Sequence, residues 1–138
     1  MIVALFLSLA LTTPPATAVG AEACKSCHPA AYRTWSQSAH ARANLTLSAE
    51  EKKQVRCTLC HTVDADEPRF AGVQCESCHG NGKYYSPSYV MKDKVLARAV
   101  GLTEANEQTC KKCHDASSPS LQPWNFAEAW ARIAHGKE

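Results

Sequence analysis

The chain carries four copies of one short motif, in which two cysteines three positions apart are followed at once by a histidine. The copies are Cys24-Lys25-Ser26-Cys27-His28, Cys57-Thr58-Leu59-Cys60-His61, Cys75-Glu76-Ser77-Cys78-His79 and Cys110-Lys111-Lys112-Cys113-His114. They account for all eight cysteines of the 138 residues. Their starts are 33, 18 and 35 residues apart, which excludes a regular solenoid repeat. The fold must therefore accommodate four copies of the motif that are unevenly spaced along the chain.

This pattern is typical of c-type haem attachment, in which the two thiols add to the haem vinyl groups and the adjacent histidine binds the iron. Disulfides and zinc sites also use paired cysteines, but neither requires a histidine after every pair. The motifs therefore predict four covalently bound c-type haems. The attachment residues are Cys24, Cys27, Cys57, Cys60, Cys75, Cys78, Cys110 and Cys113, and the proximal iron ligands are His28, His61, His79 and His114.

The composition predicts that the haems themselves form the core. Only 7% of the residues are aromatic, and four haems leave roughly 30 residues of mature chain for each cofactor. The formal net charge of +2 gives no support for nucleic-acid binding. Two propionates on each haem lower the charge of the holo-protein by roughly eight, so it becomes acidic.

The first residues resemble a secretory signal peptide. Residues 2–11 are apolar apart from Ser8, and a double proline and the small-x-small sequence Ala16-Thr17-Ala18 follow. The apolar run is well short of the roughly 20 residues that span a bilayer. We therefore expect a signal peptide over residues 1–18, with cleavage as late as Ala21, and a single exported domain over residues 19–138. That domain is predicted to be periplasmic, without an integral membrane span.

The remaining pattern predicts a mostly α-helical fold with little or no sheet, in which short helices and loops surround four stacked haems, because no stretch alternates with period two. A capping box at Ser48 and Glu51 predicts a helix that runs into the second motif. Gly80, Gly82 and Pro87 indicate a loop after the third motif. The other predicted helices cover residues 29–43, residues 89–100 before Gly101, residues 103–112 and residues 124–135.

Six histidines limit the ligands for the distal side of the irons. Four belong to the motifs, so His40 and His135 are the predicted distal histidines. Met91 is either a thioether ligand or a packing residue. These three residues cannot serve four irons, so at least one haem is five-coordinate or is capped by water, Lys, Tyr or another molecule. If residues 29–40 form one helix, His40 lies about 18 Å from His28 and cannot cap that haem.

The first motif is followed by Trp35 and Ser38-Ala39-His40-Ala41. The third motif is preceded by Gly72-Val73-Gln74 and followed by Gly80-Asn81-Gly82. These two stretches of the sequence resemble the tetrahaem cytochrome c-554 family. The resemblance implies an exported, mostly helical electron carrier with closely stacked haem pairs. It also implies that His40 caps the third haem, that His135 caps the fourth, and that the second haem, on His61, is high-spin with an open position.

The sequence departs from this family after the third motif. The family's distal histidine for the first haem falls in that loop, whereas residues 83–91 contain no histidine here. Tyr89 and Met91 lie near the expected position. The first haem is therefore either ligated by His28 and Met91 or open.

The sequence is consistent with three candidate functions. The first is electron transfer between unidentified respiratory redox partner proteins. The second is reduction of nitric oxide or a nitrogen oxyanion at an open iron on His61. The third is a haem-bearing subunit of an oligomer, a larger complex or a filament. Trp124 and Trp130 are candidates for docking in that case, or for packing against haem.

Overall fold

The computed structural model describes residues 17–135. The predicted signal peptide over residues 1–18 lies almost entirely outside the described residues, and so do residues 136–138. Between residues 17 and 135 no helix has the length and apolar character needed to cross a membrane.

The described chain consists of short helices joined by loops. The α-helices are α1 (Glu22–Lys25), α2 (Pro29–Ser36), α3 (Val55–His61), α4 (Cys75–His79), α5 (Ser88–Met91), α6 (Lys94–Ala99), α7 (Glu107–Lys111) and α8 (Phe126–Ile133). Single 3-10 helices cover His40–Thr46, Glu51–Lys53, Pro68–Phe70 and Pro119–Leu121. The described residues form no strand, and one isolated antiparallel bridge joins Thr62 to Ala71. The prediction of a mostly helical fold is confirmed.

The predicted helix over residues 29–43 is wrong, because α2 ends at Ser36. The backbone N–H and the hydroxyl of Ser38 both donate to the Trp35 carbonyl, at 2.9 and 2.6 Å, and this turn ends the helix. The Trp35 indole N–H donates to the Val73 carbonyl at 2.7 Å, which fixes the turn against the chain before the third motif. His40 therefore begins a separate 3-10 helix instead of continuing α2.

The predicted helix over residues 89–100 is also interrupted. Asp93 caps α6, because its carboxylate accepts the backbone N–H groups of Val95 and Leu96, each at 3.0 Å. A capping side chain of this kind starts a new helix after an extended residue. The predicted stop at Gly101 is confirmed, since that residue has a φ of +119°.

The remaining helix predictions hold in part. The capping box is present, with the Ser48 N–H donating to the Glu51 carboxylate at 2.8 Å, but one 3-10 turn precedes α3. Asn106 and Asn125 cap α7 and α8, so these helices begin later than predicted.

Few apolar side chains are buried. In the described part of the chain the buried hydrophobic residues are Ala21, Phe70, Tyr85, Val90 and Ala97. Three of them form a cluster that Met91, Val100 and Leu102 extend. This is a small apolar core for a chain of this length, as its composition predicts.

Two buried polar side chains at the third motif connect distant segments. The Glu76 carboxylate accepts the backbone N–H groups of Val19, Gly20 and Gly82 at 2.9, 2.8 and 2.6 Å. The Gln74 amide accepts from the Ala21 N–H and donates to the carbonyls of Arg69 and Ala71. Because both side chains are only 4% exposed, these bonds are shielded from water. Residues 19–21 are thereby bound to α4.

We predict that Phe70→Ala lowers the free energy of unfolding by about 3–5 kcal/mol, because it removes a fully buried aromatic ring. Val95→Ala is the control, since Val95 is 77% exposed, and it should change the free energy by less than about 1 kcal/mol. Denaturant unfolding of the two purified variants measures the difference. Equal losses would show that Phe70 is not part of the core.

Candidate haem-binding site

Four of the six histidines meet in two pairs. The ring centres of His40 and His114 are 6.0 Å apart, and those of His79 and His135 are 5.9 Å apart. Two imidazoles that bind one metal ion from opposite sides, with metal–nitrogen distances of about 2 Å, have ring centres about 6 Å apart. Each pair combines a motif histidine with one of the two histidines outside the motifs. Both separations therefore fit a single metal ion held between two rings.

The pairing differs from the one that the resemblance implied. His40 lies beside His114 of the fourth motif instead of His79 of the third, and His135 lies beside His79 instead of His114. The carbonyl of His40 accepts the Val73 N–H at 2.9 Å, so the 3-10 helix that begins at His40 is held by the chain that leads into α4. Helix α8 returns the chain to the third motif, which brings His135 to His79.

Three of the histidines are oriented by hydrogen bonds from their Nδ1 atoms. Backbone carbonyls accept these bonds, and the pairs are His61 with Ala43 at 2.7 Å, His79 with Thr103 at 3.0 Å and His135 with Ile133 at 3.2 Å. Metal-binding histidines commonly donate their other ring N–H in this way, which fixes the tautomer. The Nε2 atom of each ring is then the one available to a metal.

His114 is held by ring stacking instead. The Trp124 indole stacks on it with ring centres 5.2 Å apart and an angle of 23° between the planes. The Nδ1 atom of His114 is buried and has no hydrogen-bond partner among the described residues. Burial lowers the pKa of His114, and burial together with the nearby His114 ring lowers the pKa of His40. Both imidazoles are therefore held in the neutral form that binds metals.

The first and third motifs share one cavity of about 370 Å³. Its lining includes Cys24 and His28 of the first motif and Cys75, Cys78 and His79 of the third, together with His40, Met91 and His135. The Cys24 and Cys75 thiols are hydrogen-bonded to each other, which raises the pKa of Cys75 and lowers that of Cys24. These two motifs are therefore direct neighbours in space.

The fourth motif lies near both the second and the third. Burial, and then a hydrogen bond with Cys60, raises the pKa of Cys113 to about 12. Burial, and then the nearby Cys110 thiol, raises the pKa of Cys78. The four motifs thus follow one another in space in the order first, third, fourth and second.

Comparison with known proteins agrees with this site. A family model described as cytochrome c554 and c-prime matches residues 23–80, which contain the first three motifs. The cytochrome c-554 of Nitrosomonas europaea is 26% identical over an alignment 147 positions long, gaps included, which covers 80% of this chain and 62% of that protein. These matches show that the chain is similar to the cytochrome c-554 family. The chain spans about three fifths of the length of this relative, and no solved structure gives a significant match.

Similarity to this family supports covalently bound c-type haem, and the donor set fits that cofactor. Within residues 17–135 no group of three or more His, Cys, Asp or Glu side chains could hold a metal ion by itself. Instead, the histidines meet in twos and each cysteine pair adjoins a histidine, as attachment of a c-type haem requires. Trp124 stacks on a motif histidine, and packing of Trp124 against haem stays a prediction.

Sequence reasoning missed the residues that support the motif histidines. Thr103 contacts the third motif through three atoms: its N–H donates to the His79 carbonyl, its hydroxyl to the Cys78 carbonyl, and its own carbonyl accepts from His79 Nδ1. The Ala43 carbonyl supports His61 in the same way. Backbone groups make most of these bonds, so no side-chain pattern indicated them. Glu76 lies within the third motif, but the sequence did not indicate that its carboxylate binds backbone N–H groups of distant segments.

We predict that Gly72→Ala displaces the segment that carries His40. A Cβ atom at Gly72 would lie 2.6 Å from the Ala41 carbonyl oxygen, and the residue has a φ of +84°. The variant should therefore melt at a lower temperature and lose one low-spin haem signal in electron paramagnetic resonance (EPR) spectra.

Gly101→Ala is the matched control for this experiment. Its φ is +119°, but an added Cβ would meet nothing within 4 Å, so it carries only the backbone cost of about 1–3 kcal/mol. If both variants lost stability equally and kept the wild-type EPR spectrum, Gly72 would not position His40.

Proposed function

We propose that the chain is an exported, periplasmic tetrahaem c-type cytochrome that carries electrons between redox partner proteins. The observation that carries this proposal is the proximity of the four motifs in the order first, third, fourth and second, together with the two histidine pairs. Bound haem supplies one-electron oxidation and reduction of its iron. The chain's own residues then attach, orient and space the four centres.

The proposed ligand sets follow from the ring pairs. His79 and His135 would hold the iron of the haem attached at the third motif, and His114 and His40 would hold that of the haem attached at the fourth. The first and second centres have His28 and His61 as proximal ligands. Met91 lines the cavity beside the first motif, which supports it as the distal ligand there. Because both histidines outside the motifs face other motifs, the second centre is the one proposed to keep an open position.

The spatial order of the motifs supports an electron route between its two ends. The Cys24 and Cys75 thiols touch at one end of this series, and the Cys60 and Cys113 thiols touch at the other. The first and second motifs are therefore the terminal positions. We propose that one redox partner exchanges electrons near the first motif and the other near the second.

One observation favours the reductase as a second candidate. The His61 ring is held by the Ala43 carbonyl, with the Thr46 hydroxyl 3.3 Å from its Nδ1 atom, so the imidazole is rigidly aimed while the distal histidines serve other centres. An open iron opposite such a ring would bind nitric oxide. The hypothesis of a larger complex or filament stays a prediction without a supporting contact.

We predict that the holo-protein carries four haems and behaves as a carrier. Intact mass should show four covalent haems, and a reductive titration should take up four electrons and release them to an oxidant without net consumption of nitric oxide or nitrite. The variant Cys110→Ser/Cys113→Ser should carry one haem fewer. Steady catalytic consumption of nitric oxide by the wild type would favour the reductase instead.

We further predict that His40→Ala and His135→Ala each remove one low-spin signal from the EPR spectrum, because each deletes one axial ligand. Paramagnetic NMR, in which haem methyl groups are connected to the cysteines that hold them, identifies the altered haem. His40→Ala should affect the haem on Cys110 and Cys113, and His135→Ala the haem on Cys75 and Cys78. The opposite assignment would restore the pairing that the family resemblance implied.

A further inference from the structure

The Glu76 carboxylate points to where the exported chain is cut. We propose that signal peptide cleavage occurs between Ala18 and Val19, and that the new α-ammonium group of Val19 forms a partly buried ion pair with Glu76. This inference rests on the proposed export of the protein. It adds a processing site and a structural role for the new N-terminus.

Glu76 is a buried carboxylate that lacks a side-chain countercharge. It is 4% exposed, and among residues 17–135 no Lys or Arg side chain forms an ion pair with it. Its Oε1 atom accepts the Val19 and Gly82 N–H groups, and its Oε2 atom accepts the Gly20 N–H. A carboxylate withdrawn from water is costly unless it is hydrogen-bonded and paired with a positive charge.

Cleavage after Ala18 places that positive charge on the carboxylate without moving the chain. The peptide bond between Ala18 and Val19 is hydrolysed: water gives its hydroxyl to the Ala18 carbonyl carbon and a proton to the Val19 nitrogen. That nitrogen already lies 2.9 Å from Glu76 Oε1. A free α-amino group carries a proton at neutral pH, so the hydrogen bond becomes charge-assisted and stronger.

Cleavage after Ala21, the other site that the sequence allows, would dismantle the same contacts. It would remove the Val19 and Gly20 N–H groups from Glu76 and the Ala21 N–H, which donates to Gln74 at 2.7 Å. Only the Gly82 N–H would then remain on the buried carboxylate. Ala21 itself is 4% exposed, so residues 19–21 belong to the packed fold.

Cleavage after Ala18 also breaks two hydrogen bonds made by Thr17, and both lie at the protein surface. Thr17 accepts hydrogen bonds from the Lys83 N–H through its carbonyl and from the Asn81 side chain through its hydroxyl. Both Asn81 and Lys83 are exposed, so water replaces these bonds when Thr17 is removed. Glu76 and Gln74 keep all the contacts made by residues 19–21.

N-terminal sequencing of the haem-containing protein from the periplasmic fraction tests the cleavage site. We expect the mature chain to start at Val19, and a start at Glu22 would overturn the inference while leaving the proposed export intact. A chain that kept residues 1–18 and contained no haem would instead overturn the proposed export, and the inference with it.

A pair of matched chains tests the ion pair. In the second chain, Ala-Ser is inserted between Ala18 and Val19, so cleavage after Ala18 leaves Val19 with a neutral peptide N–H. We expect Glu76→Gln to lower Tm by about 5 °C more in the normal chain than in the extended one, because only the normal chain loses an ion pair. Equal shifts in the two chains would overturn the ion pair.

Glu50→Gln is the control for this comparison. Glu50 forms an exposed ion pair with Lys53 and is 78% exposed in its side chain, so its replacement should shift Tm little and equally in both chains. If Glu76→Gln does not fold in either chain, the Tm of the unsubstituted extended chain decides. It should lie below that of the normal chain, and an unchanged Tm would count against the ion pair.

Discussion

The fold depends on hydrogen bonds that two buried polar side chains make next to the third motif. Gln74 and Glu76 connect the chain at residues 19–21, the turn at residues 69–71 and the loop at Gly82 to helix α4. Satisfied polar networks of this kind define a unique arrangement where apolar burial is scarce. The buried hydrophobic side chains of the described chain are few, so these bonds carry much of the specificity.

The same region then positions ligands for more than one motif. Val73, which directly precedes Gln74, binds both the Trp35 indole and the His40 carbonyl. On the other side of α4, Thr103 fixes the His79 ring. The third motif therefore connects several distant segments and, like the fourth, lies inside the spatial series, whereas the first and second motifs lie at its ends.

The features that were predicted correctly from the sequence are those determined by residues close together in the chain. The four motifs, the capping box at Ser48 and Glu51 and the stop at Gly101 each depend on residues within one turn of each other. The end of α2 at Ser36 was missed because it is fixed by Val73, 38 residues away from the Trp35 indole. The histidine count limited the candidate distal histidines to His40 and His135, and this assignment stays a prediction. The count could not assign them to motifs, because their partners depend on how distant segments pack.

The 3-10 helix His40–Thr46 lies beside two motif histidines at once. Its first residue places an imidazole beside His114, while Ala43 and Thr46, within the same seven residues, hold the ring of His61. An inserted or deleted residue here would shift one of these contacts relative to the other. Evolution can therefore lengthen the loops between other motifs more freely than this stretch, and relatives with the same ligand arrangement should keep its length even where its side chains change.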